Sequence, residues 1–235
     1  MGVNKFTFNG TASDTFNVRV TKYPDYEIAQ REVAKVSVPG RNGDLILDTG
    51  AYANVPRRYD IYFNAKGSGF HTSAHSIASW LCSIGGYARL EDTYDTTVYM
   101  MARVANQDQL SNWMNYMGRT TVEFDCKPQR WLKTGEAEVA VTSGATVTND
   151  YMPCYPIFTV TGNGDLDVNG NVVTISNNSG DTITIDCETQ NAYKGTTNRN
   201  SDIVITGDFP FLVSGNNVIT FDTTSVKMIP NWWTL

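Results

Sequence analysis

The sequence has little of the chemistry that metal binding or covalent catalysis normally uses. Its 235 residues include two histidines and four cysteines, and no two cysteines form a Cys-x-x-Cys pair. Cys82, Cys126, Cys154 and Cys187 are therefore predicted to be buried free thiols rather than a metal or redox site. We expect no cofactor, no catalytic residue and no metal ligand.

Long apolar runs and an excess of basic residues are also lacking. No apolar run could span a bilayer, and Met1–Lys5 leads directly into the alternating Phe6 and Phe8 of a strand, without a secretion signal. We expect synthesis in a cytoplasm and no membrane partner. The net charge of −6 argues against sequence-independent binding of nucleic acid, which needs Lys and Arg against the phosphates.

Charge and composition change along the chain. Up to Lys133 there are fifteen Lys and Arg against thirteen Asp and Glu (+2), and from Thr134 onward three against eleven (−8), which together give the net −6. The second part is also dense in Asn, Thr, Ser and Gly. Because such shifts mark domain boundaries, we predict two domains, 1–133 and 134–235.

Apolar and polar residues alternate through the first part, which predicts strands. The predicted strands are Thr15–Val20, Glu32–Val38, Asp44–Leu47, Arg58–Asn64, Thr97–Val104 and Thr120–Asp125. From His71 to Ile84 the apolar spacing is helical, with Thr72 or Ser73 as N-cap and Gly85-Gly86 as the stop. We expect this helix to pack one face on the sheet. Between Asp108 and Met117 a short helix and a strand are both open.

Turn pairs separate short strands at regular spacing in the second part. The predicted strands are Glu138–Val141, Ile157–Thr161, Leu166–Val168, Val172–Ile175, Ile183–Cys187, Ile203–Ile205 and Val218–Phe221. Such a series without a helical pattern predicts a β-sandwich or jelly roll. The fold class is therefore mostly β: a sandwich-like first domain with one packed helix, and a sandwich as the second domain.

A cluster of turn residues joins two alternating segments in the first part. Pro39-Gly40 and Asn42-Gly43 adopt turn conformations at low steric cost, which predicts a β-hairpin. A two-stranded hairpin cannot bury both faces alone, so we expect an extended arm that lies against another subunit or a neighbouring sheet. The candidate interface residues of this arm are Pro39, Gly40, Arg41, Asn42, Gly43 and Tyr52.

A series of short motifs also runs through the chain in a fixed order. They are Phe8-Asn9-Gly10, the run from Val38 to Tyr52, Phe124-Asp125-Cys126-Lys127-Pro128, Pro156-Ile157-Phe158, Gly207-Asp208-Phe209-Pro210, Gly215-Asn216-Asn217-Val218-Ile219 and Pro230-Asn231-Trp232. In this order they resemble the distal tail (Dit) proteins of long-tailed bacteriophages.

That resemblance implies a structural virion protein at the tail tip. It implies a homo-hexameric ring hub, formed by the first domains, in which the arm embraces the neighbouring subunit and galectin-like second domains lie outside. It also implies the partners: the tail tube protein, a tail-tip or tail-associated lysin-type protein, and optionally receptor-binding proteins. DNA would pass through the channel without sequence-specific binding.

Three patterns could be mistaken for functional sites. Asp165-Leu166-Asp167-Val168-Asn169-Gly170 matches the first half of a calcium loop, but position twelve is Ser176 rather than Glu, so a hairpin is favoured. His71 and His75 are one helical turn apart without the acid of a zinc-protease helix. Glu91, Asp92 and Asp95 favour a polar hairpin over a pair of glycosidase carboxylates. We therefore predict that the protein is not an enzyme.

Aromatic residues are the remaining candidates for binding. Those in or beside the arm and rim segments are Tyr23, Tyr26, Tyr52, Tyr59, Tyr62, Trp113, Tyr116 and Trp131. Tyrosine and tryptophan are enriched both in interfaces and in cores, so either position is open for each. Trp232 and Trp233 could stack on sugar in a carbohydrate-binding adhesion module, which is the alternative function, or anchor the end of the chain on the sheet.

Overall fold

The computed structural model describes residues 4–65, 67, 69–107, 111–112, 116–177 and 180–235, with the backbone alone at 106–107 and 111–112. The chain forms two compact units. The first extends to Arg130 and includes Leu235, and the second runs from Trp131 to Thr234. That residues 1–133 and 134–235 fold as independent domains stays a prediction. Within the described ranges, no helix has both the length and the apolar character needed to cross a membrane.

Strands make up most of the first unit. They are β1 (Phe6–Phe8), β2 (Thr11–Ala12), β3 (Val18–Val20), β4 (Arg31–Val36), β5 (Leu45–Tyr52), β6 (Val55–Asn64), β7 (Ala88–Asp92), β8 (Val98–Gln107), β9 (Ser111–Asn112) and β10 (Met117–Leu132). The main sheet has the order β2-β1-β7-β8-β10-β6-β3, with β9 beside β10, whereas β4 and β5 form a separate two-stranded sheet. A 3₁₀ helix at Ser13–Phe16 occupies the start of the predicted strand Thr15–Val20.

The core of the first unit is aromatic. β6 alternates buried and more exposed residues and pairs with β10 in one continuous antiparallel register, from Met117 opposite Asn64 to Cys126 opposite Val55. The ring of Phe6 stacks on Tyr59, with centroids 4.8 Å apart. It also stacks on Trp80, at 5.5 Å. Alternation at the strand period therefore places the rings of Phe6 and Tyr59 on one face of the sheet, the face that Trp80 covers.

The single α-helix of the described residues, α1, spans Phe70–Leu81 and packs one face on this core. The predicted caps are wrong: the N-cap is Gly69, with no side-chain cap bond, rather than Thr72 or Ser73. Burial of Phe70 against the ring of Phe63 explains the earlier start, because the apolar contact extends the helix by one turn. The helix ends before Gly85-Gly86, at Cys82.

The region between Asp108 and Met117 contains β9, a bend at Tyr116 and the first residue of β10, so none of its described residues is helical. Residues 108–110 and 113–115, including Trp113, lie outside the described residues. The predicted strand Thr120–Asp125 is the middle of the sixteen-residue strand β10.

The second unit is a sandwich of two sheets. Its strands are β11 (Val139–Val141), β12 (Ala145–Asn149), β13 (Ile157–Thr161), β14 (Gly164–Val168), β15 (Asn171–Ile175), β16 (Thr182–Asp186), β17 (Asn191–Lys194), β18 (Thr197–Asn198), β19 (Ile203–Thr206), β20 (Gly215–Phe221), β21 (Ser225–Ile229) and β22 (Trp233–Thr234). One sheet has the order β11-β21-β13-β16-β17-β18 and the other β12-β20-β14-β15-β19, and β22 belongs to neither. The mostly β fold predicted from the sequence is thus confirmed in both units.

Side chains from both sheets fill the space between them. Phe158 and Val160 of β13 and Leu166 and Val168 of β14 are fully buried. Asn217 is also fully buried, and its amide group donates to the carbonyls of Val147, Val213 and Gly215. Because a buried amide is costly without partners, these bonds explain how the core tolerates it.

Candidate functional site: an exposed arm and its root

The separate sheet of β4 and β5 is the predicted hairpin, and it forms an arm. Every residue from Gln30 to Ala51 is exposed. At the tip, Arg41 donates its backbone N–H to the carbonyl of Val38 at 3.1 Å, and Gly40 has a φ of +83°. This is a type II turn, which requires a positive φ at the position after proline. The Pro39-Gly40 pair therefore supplies the reversal.

Register divides the arm into two different faces. Ala34 lies opposite Leu47, and Val36 opposite Leu45. Because directly opposed residues share a face, these four apolar side chains form one surface, here called the apolar face. The other face carries Lys35 opposite Ile46 and Val33 opposite Asp48, and is therefore mixed in polarity.

A bulge interrupts the arm near its base. The register shifts between Arg31 and Val33, so that Thr49, Gly50 and Ala51 lie opposite Glu32 alone. Gly50 has a φ of +77°, and its N–H donates to Asp48 at 2.8 Å. That bond, together with the guanidinium of Arg31, holds the pKa of the Asp48 carboxyl below its ordinary value. The bulge is thus closed by a local salt bridge, and such bulges bend and twist a hairpin.

The candidate interface residues lie at the two ends of this arm. Pro39, Gly40, Arg41, Asn42 and Gly43 are at the exposed tip, whereas Tyr52 is half-buried at the base and packs on the core of the first unit. The structure therefore places one predicted residue apart from the other five. The alternation of Val36, Leu45 and Leu47 predicts the two strands of the arm, but the candidate interface residues do not include the apolar face that these side chains form.

Residues 21–30 connect β3 to the arm, and we call them the root. The root has no helix or strand, yet it is attached to the sheet at several points. Thr21 donates its backbone N–H to Asp60 O at 2.8 Å, and Ala29 is buried in the core. Tyr23 and Tyr26 expose 71% and 61% of their surface. Two of the aromatic residues suggested for an interface are therefore accessible here.

Two buried arginines reach the root from the sheet. Arg57 of β6 donates Nη1 to the carbonyl of Asp25 at 3.1 Å. Arg130 of β10 donates Nη2 to the carbonyl of Glu27 at 2.8 Å, and its guanidinium lies over the ring of Tyr26, 4.1 Å from the centroid. Tyr26 in turn donates its hydroxyl to the carbonyl of Leu235 at 2.9 Å.

Asp92, singled out among the acidic residues of the sequence, pairs with Arg57 at 2.6 Å and accepts the hydroxyl of Tyr59 at 2.7 Å. Burial alone would raise the pKa of Asp92, but the bonds from Arg57 and Tyr59 outweigh it, so the pKa is lowered. Burial raises the pKa of Tyr59 well above its ordinary value. Asp92 also accepts the N–H groups of Tyr94 and Asp95, so it holds the predicted hairpin turn.

The other patterns of the sequence do not come together in a site. His71 and His75 are exposed on α1. Asp165–Gly170 forms the predicted hairpin of β14 and β15, with Asn169 and Gly170 at positive φ. Among the described residues, no three His, Cys, Asp or Glu side chains are grouped to hold a metal ion.

The terminal tryptophans pack on the second unit's core. The indole N–H of Trp233 donates to the carbonyl of Pro153 at 2.9 Å, and Trp232 packs against the buried cluster of the sandwich. Both are half-buried. This is the position expected if the pair anchors the end of the chain.

Comparison with known proteins finds similarity in structure and not in sequence. No protein-family model and no curated protein matches the sequence. The crystal structure of the Dit protein of phage SPP1, described as a paradigm of the hub adsorption apparatus in phages that infect Gram-positive bacteria, is similar with a TM-score of 0.70 at 12% identity, over 99% of both chains.

Two structures of the phage p2 baseplate in its activated conformation also match. The one with strontium has a TM-score of 0.50 at 10% identity, and the one with calcium 0.52 at 9%, each over 97% of this chain and 98% of the other. At such identities the likeness concerns the fold. From end to end, this chain therefore has the fold of the SPP1 Dit protein.

Proposed function

We propose that this protein is a structural subunit of a phage tail tip, where six copies form a ring hub that joins the tail tube to the tip or baseplate. The observation that carries the proposal is an exposed arm with one apolar face, on a chain with the SPP1 Dit fold over its whole length. The hub role comes from what that relative is described to be, and the arm supplies a physical reason for assembly.

The arm needs a partner for its apolar face. An isolated two-stranded hairpin is marginally stable in water, and Val36, Leu45 and Leu47 expose 43%, 38% and 52% of their surface. A second copy of the chain is the proposed occupant. If each subunit gives one arm and receives one, the contacts are head-to-tail, and such contacts close into a ring when the rotation between neighbouring subunits divides a full turn.

The proposed partners and location follow from the hub role. The tail tube protein docks on one side of the ring, a tail-tip or lysin-type protein on the other, and receptor-binding proteins are optional further partners in the virion. DNA passes through the channel without specific contact.

We propose a role without catalysis. Asp92, the most buried of the acidic candidates, is bound to Arg57 and Tyr59 and caps a turn. Its ionised form is thereby stabilised in a structural position, where it lacks the raised pKa of a general acid.

The experiment that tests the hub is the solution mass of the purified chain, with negative-stain images of the same peak. A closed hexamer with a central hole is expected. A chain that stays monomeric at high concentration would contradict self-assembly. A variant in which residues 34–47 are replaced by a short Gly-Ser linker keeps Arg31, Asp48 and Tyr52, and should give a folded subunit without the ring.

The carbohydrate-binding alternative stays a prediction, and the half-buried position of Trp232 and Trp233 gives it no support. A glycan array distinguishes the two functions. Binding that is lost on Trp233→Ala in a folded protein would favour the adhesion module.

A further inference from the structure

The two arginines beneath the root are unusual in their burial. Arg57 and Arg130 expose only 8% and 6% of their surface. Taking a guanidinium out of water costs several kcal/mol unless partners offset it. For Arg57 this cost is offset by a salt bridge to Asp92 and by a hydrogen bond that its Nε donates to the hydroxyl of Tyr59.

Arg130 has only neutral partners among the described residues. These are the carbonyl of Glu27, the ring of Tyr26 and, at 3.6 Å, the sulfur of Met100, while its Nε is buried without a hydrogen bond. A methionine or leucine would fill such a position without this cost. What the guanidinium adds is its hydrogen bond to the Glu27 carbonyl and its contact with the Tyr26 ring, both in the root.

Both arginines donate hydrogen bonds to backbone carbonyls of the root. The carbonyls they bind belong to Asp25 and Glu27, two residues apart, as on one side of an extended chain. The bonds therefore fix the path of the root whatever its side chains are. Because the root leads directly into β4, its path sets the direction in which the arm leaves the first unit.

We propose that Arg57 and Arg130 are positioning residues that orient the arm before it meets a partner. Orientation of the arm is a property of the single chain. Its consequence for assembly rests on the proposed function: an arm that is already oriented loses less conformational entropy on docking, so the ring forms at lower concentration.

The distance between arm and body in solution tests this proposal. Cys82 is exposed, whereas the other three cysteines are buried. Burial raises the pKa of Cys126 and of Cys154 to about 12, and raises that of Cys187 as well, so these thiols resist labelling. Spin labels at Cys82 and at an introduced Ser37→Cys on the arm then report the distance between body and arm. Dilution of labelled subunits with unlabelled ones ensures that this distance lies within one subunit.

Arg130→Met is the informative variant, since it keeps much of the stem and removes the donors. We expect a narrow distance distribution in the parent and one at least about twofold broader in the variant, because the root is then held at fewer points. Arg58→Met is the matched control: Arg58 follows Arg57 on β6 but is exposed and pairs with Glu123 at the surface. Its distribution should stay narrow.

An unchanged, narrow distribution in folded Arg130→Met would overturn the proposal. If that variant does not fold, Arg130→Lys keeps the charge but loses the planar fork, and the same two outcomes apply to it. For assembly, we expect the half-association concentration to rise about tenfold in Arg130→Met. Should the parent chain prove monomeric, the hub proposal fails while the distance measurement still decides the role of the arginines.

Discussion

The apolar face of the arm makes a quantitative prediction. If the proposed ring forms, replacing Leu45 and Leu47 with aspartate should disperse it while leaving the subunit folded, because both side chains are already partly exposed in the single chain. Fully burying a leucine contributes about 1.5–3 kcal/mol. Leu45 exposes 38% of its surface and Leu47 exposes 52%. Covering that remainder contributes about 1.4–2.7 kcal/mol per interface.

The double variant loses this contribution and also buries two carboxylates. Loss of the apolar term alone weakens each contact about tenfold to a hundredfold. Because each subunit of a ring takes part in two such contacts, the effect on closure is larger still. Light scattering over a dilution series measures it, and circular dichroism checks the fold.

Ile46→Asp is the matched control for this prediction. Ile46 exposes 60% of its surface, more than either leucine, but its partner across the strands is Lys35, on the mixed face. We expect a much smaller loss of assembly. The reasoning is refuted if the double variant forms the ring at the parent's concentration, or if Ile46→Asp disperses it equally.

Three further predictions concern the single chain. Gly118→Ala should lower the free energy of unfolding by about 1–3 kcal/mol in urea titrations, since a Cβ there would lie 2.2 Å from Cε1 of Phe63. Asp92→Asn should have a lower free energy of unfolding than the parent above pH ~4. The difference between the two should shrink in more acidic solution, because the stability contributed by a carboxyl with a lowered pKa is lost as the pH falls through that pKa. A difference that stays constant down to strong acid contradicts this. Cys82 should react alone with a thiol reagent in the native protein, and mass spectrometry should count one adduct before unfolding and four after it.

The parts of the fold that depend on local sequence could be predicted. Pro39-Gly40 and Asn42-Gly43 specify chain reversals by their own backbone preferences. The strand predicted from alternation at Ile157–Thr161 has the same first and last residues as the observed strand. The Asn169-Gly170 pair favours a hairpin over the competing calcium motif for the same reason. Local rules sufficed wherever the residues that decide a conformation are neighbours in the chain.

The parts that depend on distant contacts could not be predicted. The helix begins at Phe70 because Phe63 covers its ring, a contact that no capping rule contains. The site at the root joins Arg57, Asp92 and Arg130 from three different strands. The sequence alone indicates Asp92 only as one acid of a polar turn. Its pairing with Arg57 is not readable there, because the two residues are thirty-five positions apart.

The two-stranded form of the arm has a consequence for the subunit before it assembles. β4 and β5 pair with each other, so each has an outer edge of backbone groups that is open to another chain. Open edges invite aggregation, and natural proteins guard them with charge. Arg31, Glu32, Lys35 and Asp48 place four charges on this short sheet. They are expected to oppose edge-to-edge pairing, so that the segment proposed to join copies does not join them at random before assembly.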